Sequence, residues 1–398
     1  MRQIGKRRVR AHLFVAVLLA AGLALVGAGG AWAEAATVTV NCAADANALA
    51  TALASASLVD GTTLAITGTC MGTFEVTHSL TFAGSGGATL DAHGAGTVLT
   101  VDAGQTVDVS NLTITGGHGS SAQGFLAIGG VENFGTLALT HSSVGGNSAE
   151  GVFFPVGGID NEGTLTLTQS SVIGNNASGV IAEGGINNCA LAVACTLTLT
   201  QSTVDGNSAT SLDRNARGGI TNQPGGTMTI THSSVSGNVA TALGSAVGGI
   251  LNFGVALTLA NSTVSGNSAS GSAAFGGMRN GVDTPLRITN STLNGNTASG
   301  GFAVGAIAND GPFTLTNSSV SGNSATSAAV FPRAATGGIA TGTDPLTLVN
   351  STVSGNEANA ASVAAGGIAQ FSSTVTLKNS TVVNNTPSNC DFSDPACA

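Results

Sequence analysis

The chain has 398 residues, of which 58 are Gly and 8 are Pro; 8% are charged, and the formal net charge is −9. A hydrophobic content of 42% with so few charges excludes solvated disorder, and Gly without a three-residue period excludes collagen. The many Gly, Thr, Ser and Asn residues argue against coiled coils and helical bundles, because these residues are unfavourable in helix interiors.

Residues 1–33 have the pattern of a secretory signal peptide. Basic residues lie in Arg2–Arg10, the apolar run Leu13–Val26 follows, and Ala31–Ala33 places small residues at the cleavage site. The apolar run is too short for a membrane-spanning helix. We therefore expect cleavage before Glu34, a secreted protein that is extracellular or at the cell surface, and no membrane insertion after signal removal.

Loss of this signal makes the chain strongly acidic. Five of the 11 basic residues lie within it, which leaves 6 basic residues against 20 acidic ones and a net charge of −14. Phosphate recognition depends on clusters of Lys and Arg. We therefore expect no nucleic acid and no anionic membrane among the partners.

Residues 34–117 differ from the rest of the chain and predict an N-terminal cap with irregular first coils. Asp45 is placed to cap a short helix that ends at about Ser57, with Leu49 and Leu53 on one face. Short strand-like segments follow this helix. A helix over the open end of a solenoid would cover its exposed edge and core.

The rest of the chain is dominated by a repeat of about 30 residues. One segment recurs nine times without a change of length: an apolar residue, any residue, Leu or Ile, any residue, then Asn/Gln/His-Ser-Ser/Thr-Val/Leu-x-Gly/Asn-Asn. Its copies begin at Leu137, Leu165, Leu197, Met228, Leu257, Leu286, Phe313, Leu346 and Val375. A Gly-Gly-Ile-like element, such as Gly184–Ile186, precedes each copy. Repeats of this length indicate solenoids, propellers or arrays.

The pattern within the repeat favours a parallel β-helix. Leu165–Thr168 alternates with period two, which is typical of a strand, and a propeller blade needs about 40–45 residues. The alternation shifts at Gln169, which predicts a bend between two strands. Stacked coils would align repeated Asn residues into two ladders with amide bonds from coil to coil. The first ladder comprises Asn147, Asn175, Asn207, Asn238, Asn267, Asn296, Asn323, Asn356 and Asn385, and the second Asn133, Asn161, Asn188, Asn222, Asn252, Asn280 and Asn309.

We therefore predict an all-β fold: a single-stranded right-handed parallel β-helix (β-solenoid) of about ten or more coils, with a short capping helix near the N-terminus. Regular repeats occupy residues 118–385, and residues 386–398 form a C-terminal cap or tail. The run from each copy's last Asn to the next Gly pair varies from 9 to 14 residues. This variation predicts loops along one edge of the solenoid, where a binding surface would be built.

Six cysteines follow the signal region. An even number in a secreted chain indicates disulfides, of which fifteen pairings are possible. Position along the chain favours the local pairs, which are Cys42–Cys70, Cys189–Cys195 and Cys390–Cys397. No Cys-x-x-Cys pair occurs, so the sequence gives little support to a zinc site.

The Gly-Gly-Ile element combined with Val-x-Gly-Asn resembles the repeats of polymorphic outer-membrane proteins. More broadly, the chain is similar to secreted right-handed β-helix proteins of the pectin-lyase-like superfamily, strongly over Gly129–Asn385 and weakly over Val38–Gly117. This resemblance implies the fold, and it implies polysaccharide cleavage only where the site residues are present. The adjacent aspartates and Arg-Ile-Lys of polygalacturonase-like members are absent; Arg287–Thr289 lacks the Lys.

Acidic residues cluster in the first three regular coils. They are Glu132, Glu150, Asp160, Glu162 and Glu183. Glu132 and Asp160 share a repeat position and would lie about one coil apart, a spacing that suits a retaining glycosidase pair at about 5–5.5 Å or a calcium site. Because this position is expected to face outward, we interpret the cluster as a solvated acidic patch. We assign no catalytic residue, no cofactor or cofactor-binding residue, and no metal ligand.

Two further repeat positions have structural interpretations. His141 and His232 stand where other coils carry Asn or Gln, and we interpret them as polar ladder residues rather than metal ligands. Outward Thr pairs resemble the face of ice-binding solenoids; they are Thr166/Thr168, Thr198/Thr200, Thr229/Thr231 and Thr314/Thr316. The array is interrupted at Ala138, Ala260, Arg287, Val349 and Lys378, and the strand propensity of Thr explains it equally well.

The sequence thus predicts a secreted, non-catalytic β-helix scaffold, a structural or adhesive protein with an extracellular glycan or a cell-surface protein as its partner. Two alternatives stay open: a polysaccharide lyase or glycoside hydrolase of the pectin-lyase-like type, and an ice-binding solenoid. The chain has no Tyr and one Trp. Because aromatic and basic side chains usually bind sugars and acidic substrates, their scarcity weakens the case for an enzyme.

Overall fold

The computed structural model describes residues 36–121, 125–190, 194–327, 334–361 and 363–391. Within these ranges the chain is an all-β parallel solenoid of about 12 turns with almost no helix, as the repeat predicts. The strands form three parallel sheets, named sheets 1, 2 and 3 below. The predicted signal peptide lies outside the described residues.

The described strands have the following bounds. Sheet 1 contains Thr37–Asn41, Thr63–Met71, Leu80–Asp91, Thr106–Ser110, Thr113–Thr115, Thr136–Thr140, Ser143–Gly145, Thr164–Thr168, Ser171–Ile173, Cys195–Thr200, Thr203–Asp205, Gly226–Thr231, Ser234–Ser236, Ala256–Ala260, Thr263–Ser265, Leu286–Thr289, Thr292–Asn294, Phe313–Thr316, Ser319–Ser321, Leu346–Val349, Thr352–Ser354, Val375–Lys378 and Thr381–Val383. Sheet 2 contains Phe74–Val76, Leu99–Val101, Val131–Asn133, Ile159–Asn161, Ile186–Asn188, Ile220–Asn222, Ile250–Asn252, Met278–Asn280, Ile307–Asn309, Ile339–Thr341 and Ile368–Gln370. Sheet 3 contains His118–Ser121, Leu126–Ile128, Ser148–Gly151, Phe154–Val156, Asn176–Gly179, Ile181–Glu183, Ser208–Ser211, Asn215–Arg217, Val239–Ala242, Ser245–Val247, Ser268–Phe275, Thr297–Val304, Ser324–Ser327, Ala334–Thr336, Glu357–Ala360 and Val363–Ala365.

One coil shows the path of the chain. It passes through Thr164–Thr168 and Ser171–Ile173 in sheet 1, Asn176–Gly179 and Ile181–Glu183 in sheet 3, and Ile186–Asn188 in sheet 2. The two sheet 3 segments fold back on each other, and buried alanines fill the space between them. We call this two-layered projection, made by the sheet 3 strands, the fin.

The prediction that these variable runs form loops is therefore wrong in part. Most of the run between the last Asn of a copy and the next Gly pair is strand of the fin, as in Ser208–Ser211 and Asn215–Arg217. Only the tip between the two layers is irregular, and it exposes Leu212. The small Ala side chains allow the two layers to approach closely, and pairing with neighbouring coils satisfies the backbone.

The core follows the predicted alternation. Leu165 and Leu167 are fully buried inside the solenoid, and Val172 resumes the inward pattern after the bend. The bend itself is at Gln169, where φ is +49°. This left-handed conformation recurs at the same position in each regular coil, and Asn adopts it more readily than most residues. The left-handed residue shifts the alternation by one and turns the chain.

Both predicted asparagine ladders are confirmed. In the first ladder Nδ2 donates to Oδ1 of the next coil at 2.8–3.0 Å, as from Asn207 to Asn238, and the backbone N–H of each residue donates to the same oxygen. In the second ladder the amide distances are 2.6–2.9 Å. A serine ladder was not predicted. Its hydroxyls accept backbone N–H groups between coils at 3.0–3.2 Å, as from Ser170 to Ser202.

The N-terminal helix is confirmed but is shorter than predicted, spanning Ala48–Leu53. Asp45 is not its N-cap; that position is held by Asn47, which makes no side-chain capping bond. The Asp45 carboxylate instead accepts the Asn47 N–H at 3.0 Å, in the turn before the helix. Leu49 is buried in the solenoid core, and Leu53 packs against that core partly buried.

Two predicted disulfides are confirmed. Cys42 and Cys70 are bonded with Cα atoms 4.9 Å apart, and Cys189 and Cys195 with Cα atoms 5.4 Å apart. The first joins the segment beside the N-terminal helix to a strand of sheet 1, and the second closes a short loop after sheet 2. The third predicted pair includes Cys397, which lies outside the described residues.

Candidate functional site

The Gly pair of each repeat forms the corner between the fin and sheet 2. A Cβ on Gly218, the first glycine of one pair, would lie 2.7 Å from the Gly248 carbonyl oxygen and 2.8 Å from the backbone of Val239. The pair is therefore required by close backbone approach. A different glycine of the repeat adopts a positive φ; in one coil it is Gly206, with φ of +61°.

This corner is re-entrant, so side chains that point away from the solenoid core are nevertheless buried. The residue before each Gly pair lies on the outer face of the fin, and the second residue after it lies on the outer face of sheet 2. The first column comprises Ile128, Val156, Glu183, Arg217, Val247, Phe275, Val304, Thr336 and Ala365; the second comprises Glu132, Asp160, Asn187, Thr221, Leu251, Arg279, Ala308, Ala340 and Ala369. All are buried except Glu132, Arg217 and Arg279, which are half-buried. We call the two columns the corner groove.

The N-terminal half of the corner groove is polar. Glu183 accepts hydrogen bonds from Arg217, with which it forms an ion pair, and from the Thr221 hydroxyl in the opposite column. Asn187 Nδ2 donates to Asp160 Oδ1 at 2.8 Å. Asp160 Oδ2 and Asn187 Oδ1 are buried without a hydrogen-bond partner. Such unpaired buried oxygens are unfavourable unless one of them carries a proton.

This environment favours the protonated form of the Asp160 carboxyl group. Burial, reinforced by the nearby Glu162 carboxylate, raises the pKa of Asp160 well above its usual range despite the hydrogen bond from Asn187. Burial also raises the pKa of Glu183, against the opposing effects of Arg217 and Thr221. Burial and Glu162 raise the pKa of Glu132.

The interpretation of these acids as a solvated patch is wrong for three of them. Asp160 has 0% exposure, Glu183 2% and Glu162 8%, because the fin folds back over the outer face of sheet 2. Glu132 is half-buried next to Asp160, as their shared repeat position predicts. The structure does not place Glu150 in this cluster: it lies exposed in the first layer of the fin, paired with Ser178.

A cavity of about 360 Å³ opens over this polar half. Its lining includes Glu183, Asn187 and Arg217, with Phe125 and Phe154 at one side. The Phe125 ring stacks on Phe153 with centroids 4.9 Å apart, although Phe125 is 71% exposed. The cavity thus combines an ion pair with an exposed aromatic rim.

The C-terminal half of the groove is apolar and aromatic. Here a cavity of about 250 Å³ lies among Phe275, Arg279, Phe302, Asp310 and Phe371. Phe302 contacts Phe275 edge-on with centroids 5.9 Å apart, and its centroid lies 6.4 Å from that of Phe371. We call this half the aromatic lobe. Sequence reasoning missed it because these phenylalanines are far apart in the chain, although Phe275 and Arg279 flank one Gly pair.

Other candidates from the sequence do not form a site. His141 and His232 lie exposed at the left-handed bend, and the side-chain bonds described there join asparagines such as Asn261 and Asn290. His141 lines a shallow depression of about 510 Å³ with neighbouring polar residues. Among the described residues no group of three or more His, Cys, Asp or Glu side chains is arranged to hold a metal ion.

Comparisons with protein-family models, curated proteins and solved structures found no match to this chain. The assignment of the fold therefore depends on the pairing of the strands.

In the described part of the chain, no helix has the length and apolar character needed to cross a membrane. The two disulfides are compatible with an extracellular protein.

Proposed function

We propose that this protein is a secreted, non-catalytic β-solenoid of the extracellular space or cell surface that binds an extended partner along the corner groove. The observation that carries the proposal is that two cavities, lined by aromatic rings and charged side chains, open at the corner groove. Concave sites with a few convergent polar groups are the usual ligand sites of proteins. The likeness of the repeats to polymorphic outer-membrane proteins and to pectin-lyase-like β-helices is consistent with such a role.

Export is part of this proposal. The signal-like segment 1–33 and the disulfides Cys42–Cys70 and Cys189–Cys195 support it, because disulfides persist in oxidising compartments. The sparse, acidic charge of the chain supports a partner other than nucleic acid.

Two features of the acidic cluster support a binding role over polysaccharide cleavage. Asp160 has no exposed surface through which a glycosidic oxygen could be reached. Both carboxylate oxygens of Glu183 are engaged, one by Arg217 and the other by Thr221. A glycosidase needs two accessible carboxyl groups on either side of the scissile bond.

The test measures binding and product release together on immobilised extracellular polysaccharides and glycoproteins. We expect retention of the protein without reducing sugar or unsaturated uronate in the supernatant, with or without calcium. Phe371→Ser, at the cavity of the aromatic lobe, should weaken retention, whereas Leu243→Ser, at an exposed apolar residue of the fin tip, should not. Product release that disappears in Glu183→Gln would show an enzyme instead. If Phe371→Ser and Leu243→Ser are retained equally, the proposal that the partner binds at the corner groove is refuted.

A second candidate function, ice binding, is favoured by one observation on sheet 1. Nine threonines from three successive strands are paired in register as a three-by-three array: Thr164, Thr166, Thr168, Thr196, Thr198, Thr200, Thr227, Thr229 and Thr231. Strand spacing makes such an array regular in both directions. Thermal hysteresis that is lost in Thr198→Tyr and kept in Thr210→Tyr, on the fin, would support this candidate; no hysteresis in the parent protein would exclude it.

A further inference from the structure

The aromatic lobe contains the guanidinium group of Arg279, which interacts electrostatically with the Asp310 carboxylate. Arg279 lies on sheet 2 with its Cζ 4.8 Å from the ring centroid of Phe275 and 5.4 Å from that of Phe253. No hydrogen bond or ion pair joins this guanidinium to any described residue. Both rings lie within cation–π distance of the guanidinium, and its N–H donors have no acceptor among the described residues.

A carboxylate faces the same cavity. Asp310 follows the next sheet 2 strand, Ile307–Asn309, and its backbone N–H donates to the Asn280 carbonyl at 3.1 Å. Its side chain makes no hydrogen bond or ion pair with the described residues, and it lies beside Gly342, where a Cβ would be 2.7 Å from Oδ1. The glycine leaves room for the carboxylate, which adds a hydrogen-bond acceptor to the lobe.

Aromatic surface completes the lobe. Phe302 is half-buried against Phe275, and Phe371 is 56% exposed at the rim. Contiguous exposed apolar surface marks interaction sites more often than single exposed residues do, and these rings are contiguous. The lobe therefore presents apolar faces beside one positive and one negative group, all directed to a cavity of about 250 Å³.

We infer that the aromatic lobe is a binding subsite for an uncharged sugar ring of an extracellular glycan; this inference rests on the proposed function and specifies its partner. A sugar hydroxyl both accepts and donates, so neighbouring hydroxyls can accept from Arg279 and donate to Asp310. The C–H face of the ring would cover Phe302 or Phe371. Because the cavity carries one positive and one negative group, their charges offset each other, and neither a uronate nor a cationic ligand gains a net electrostatic attraction; this balance favours a neutral ring.

Calorimetric titration of the full chain with two oligosaccharide series tests this inference. We use neutral glucose-, galactose-, mannose- and xylose-based oligomers and, in parallel, oligogalacturonates. At least one neutral series should bind, and Arg279→Met and Asp310→Asn should each weaken it about tenfold or more. Arg287→Met, an exposed arginine on sheet 1, is the matched control and should leave affinity unchanged. Circular dichroism melts confirm that each variant is folded, and Asp310→Asn tests the lobe independently if Arg279→Met does not fold.

The outcomes separate the inference from the proposed function. Binding of oligogalacturonates alone, weakened by Arg279→Met, would overturn the neutral-sugar inference while the groove would still be a binding site. Sugar binding that is the same in the parent, Arg279→Met and Asp310→Asn would overturn the lobe as the subsite. If no oligomer binds while the immobilised panel still retains the protein through Phe371, the inference fails and the proposed function stands. If the parent protein neither binds any oligomer nor is retained on the immobilised panel, both the neutral-sugar inference and the proposed function are refuted.

Discussion

Asp160 and Asn187 occupy the same position in successive coils, and the Asn187 amide donates to the Asp160 carboxyl at 2.8 Å, where Asp160 has no exposed surface. The residues are on the outer face of sheet 2, which in an isolated sheet would be solvated. The fin covers them, because the Gly pair turns the chain back sharply. An outward-facing acid is thereby converted into a buried one, and this determines its effect on stability.

The buried carboxyl group predicts a pH-dependent stability. Because the pKa of Asp160 is higher in the folded than in the unfolded chain, the folded state binds more protons, and stability falls as the pH rises through the folded pKa. Glu132 and Glu183 act in the same direction. Asp160→Asn should therefore raise the free energy of unfolding at neutral pH by about 1 kcal/mol or more and have little effect near pH 4. Urea unfolding from about pH 4 to about pH 8 measures this; the exposed Asp213→Asn is the control.

The first asparagine ladder predicts a large loss of stability in Asn238→Ala. Its side chain takes part in bonds with Asn207, Asn267 and the Val204 carbonyl at 2.9–3.0 Å, all fully buried. Their loss leaves buried donors and acceptors unpaired, at a cost of about 3 kcal/mol or more. Chemical unfolding should show this, while Asn294→Ala, at an exposed strand end, should change stability by less than about 0.5 kcal/mol. Equal effects would argue against the ladder as a stabilising element.

The two kinds of glycine in the repeat predict different costs for alanine. Gly218→Ala would place a Cβ against backbone atoms at 2.7–2.8 Å, so the fin and the next coil must move, at a cost of about 3 kcal/mol or more. Gly206→Ala meets nothing within 4 Å and bears only the penalty of positive φ, about 1–2 kcal/mol. Thermal melts of both variants give the comparison. A smaller loss in Gly218→Ala would contradict the close approach at the corner.

The disulfides predict unequal contributions to stability. Cys42–Cys70 closes a loop with a sequence separation of 28, and chain entropy assigns it about 3 to 4 kcal/mol. Cys189–Cys195 has a separation of 6 and should contribute about 2 kcal/mol. Replacement of each pair by alanines, followed by chemical unfolding, should show the larger loss for the first. The reverse order would mean that local strain or packing outweighs loop entropy.

Prediction from the sequence succeeded where the signal is repeated in every coil. Asn175 and Asn207 align because the conserved segment that contains each of them keeps its length from coil to coil, whereas the rest of the repeat varies. Leu165 and Leu167 are buried because alternation with period two defines one inner face. The irregular first coils gave a weaker signal. Asp45 was expected to cap the helix, but Asn47 holds the N-cap position, and the Asp45 carboxylate accepts the Asn47 N–H in the turn before the helix.

The candidate site was less predictable. Glu132 and Asp160 were placed together correctly, since register alone brings them together, but their exposure depends on what lies over sheet 2. Arg279 and Phe275 are near in sequence, whereas Phe302 and Phe371 join them only through coil stacking. Alternation describes inner and outer faces of a strand and carries no information about a second layer that covers an outer face.

The amino-acid sequence by itself determined the solenoid: the low charge, the 58 glycines and the recurring apolar alternation encode local strands, bends and ladders that each coil repeats. Only the tertiary structure decided which glycines meet backbone and which adopt positive φ, and that the fin folds back over sheet 2. The physical reason is that burial depends on distances between segments that are separate in the chain. That folding back buries Asp160 and brings Arg279, Asp310 and the phenylalanines to one cavity.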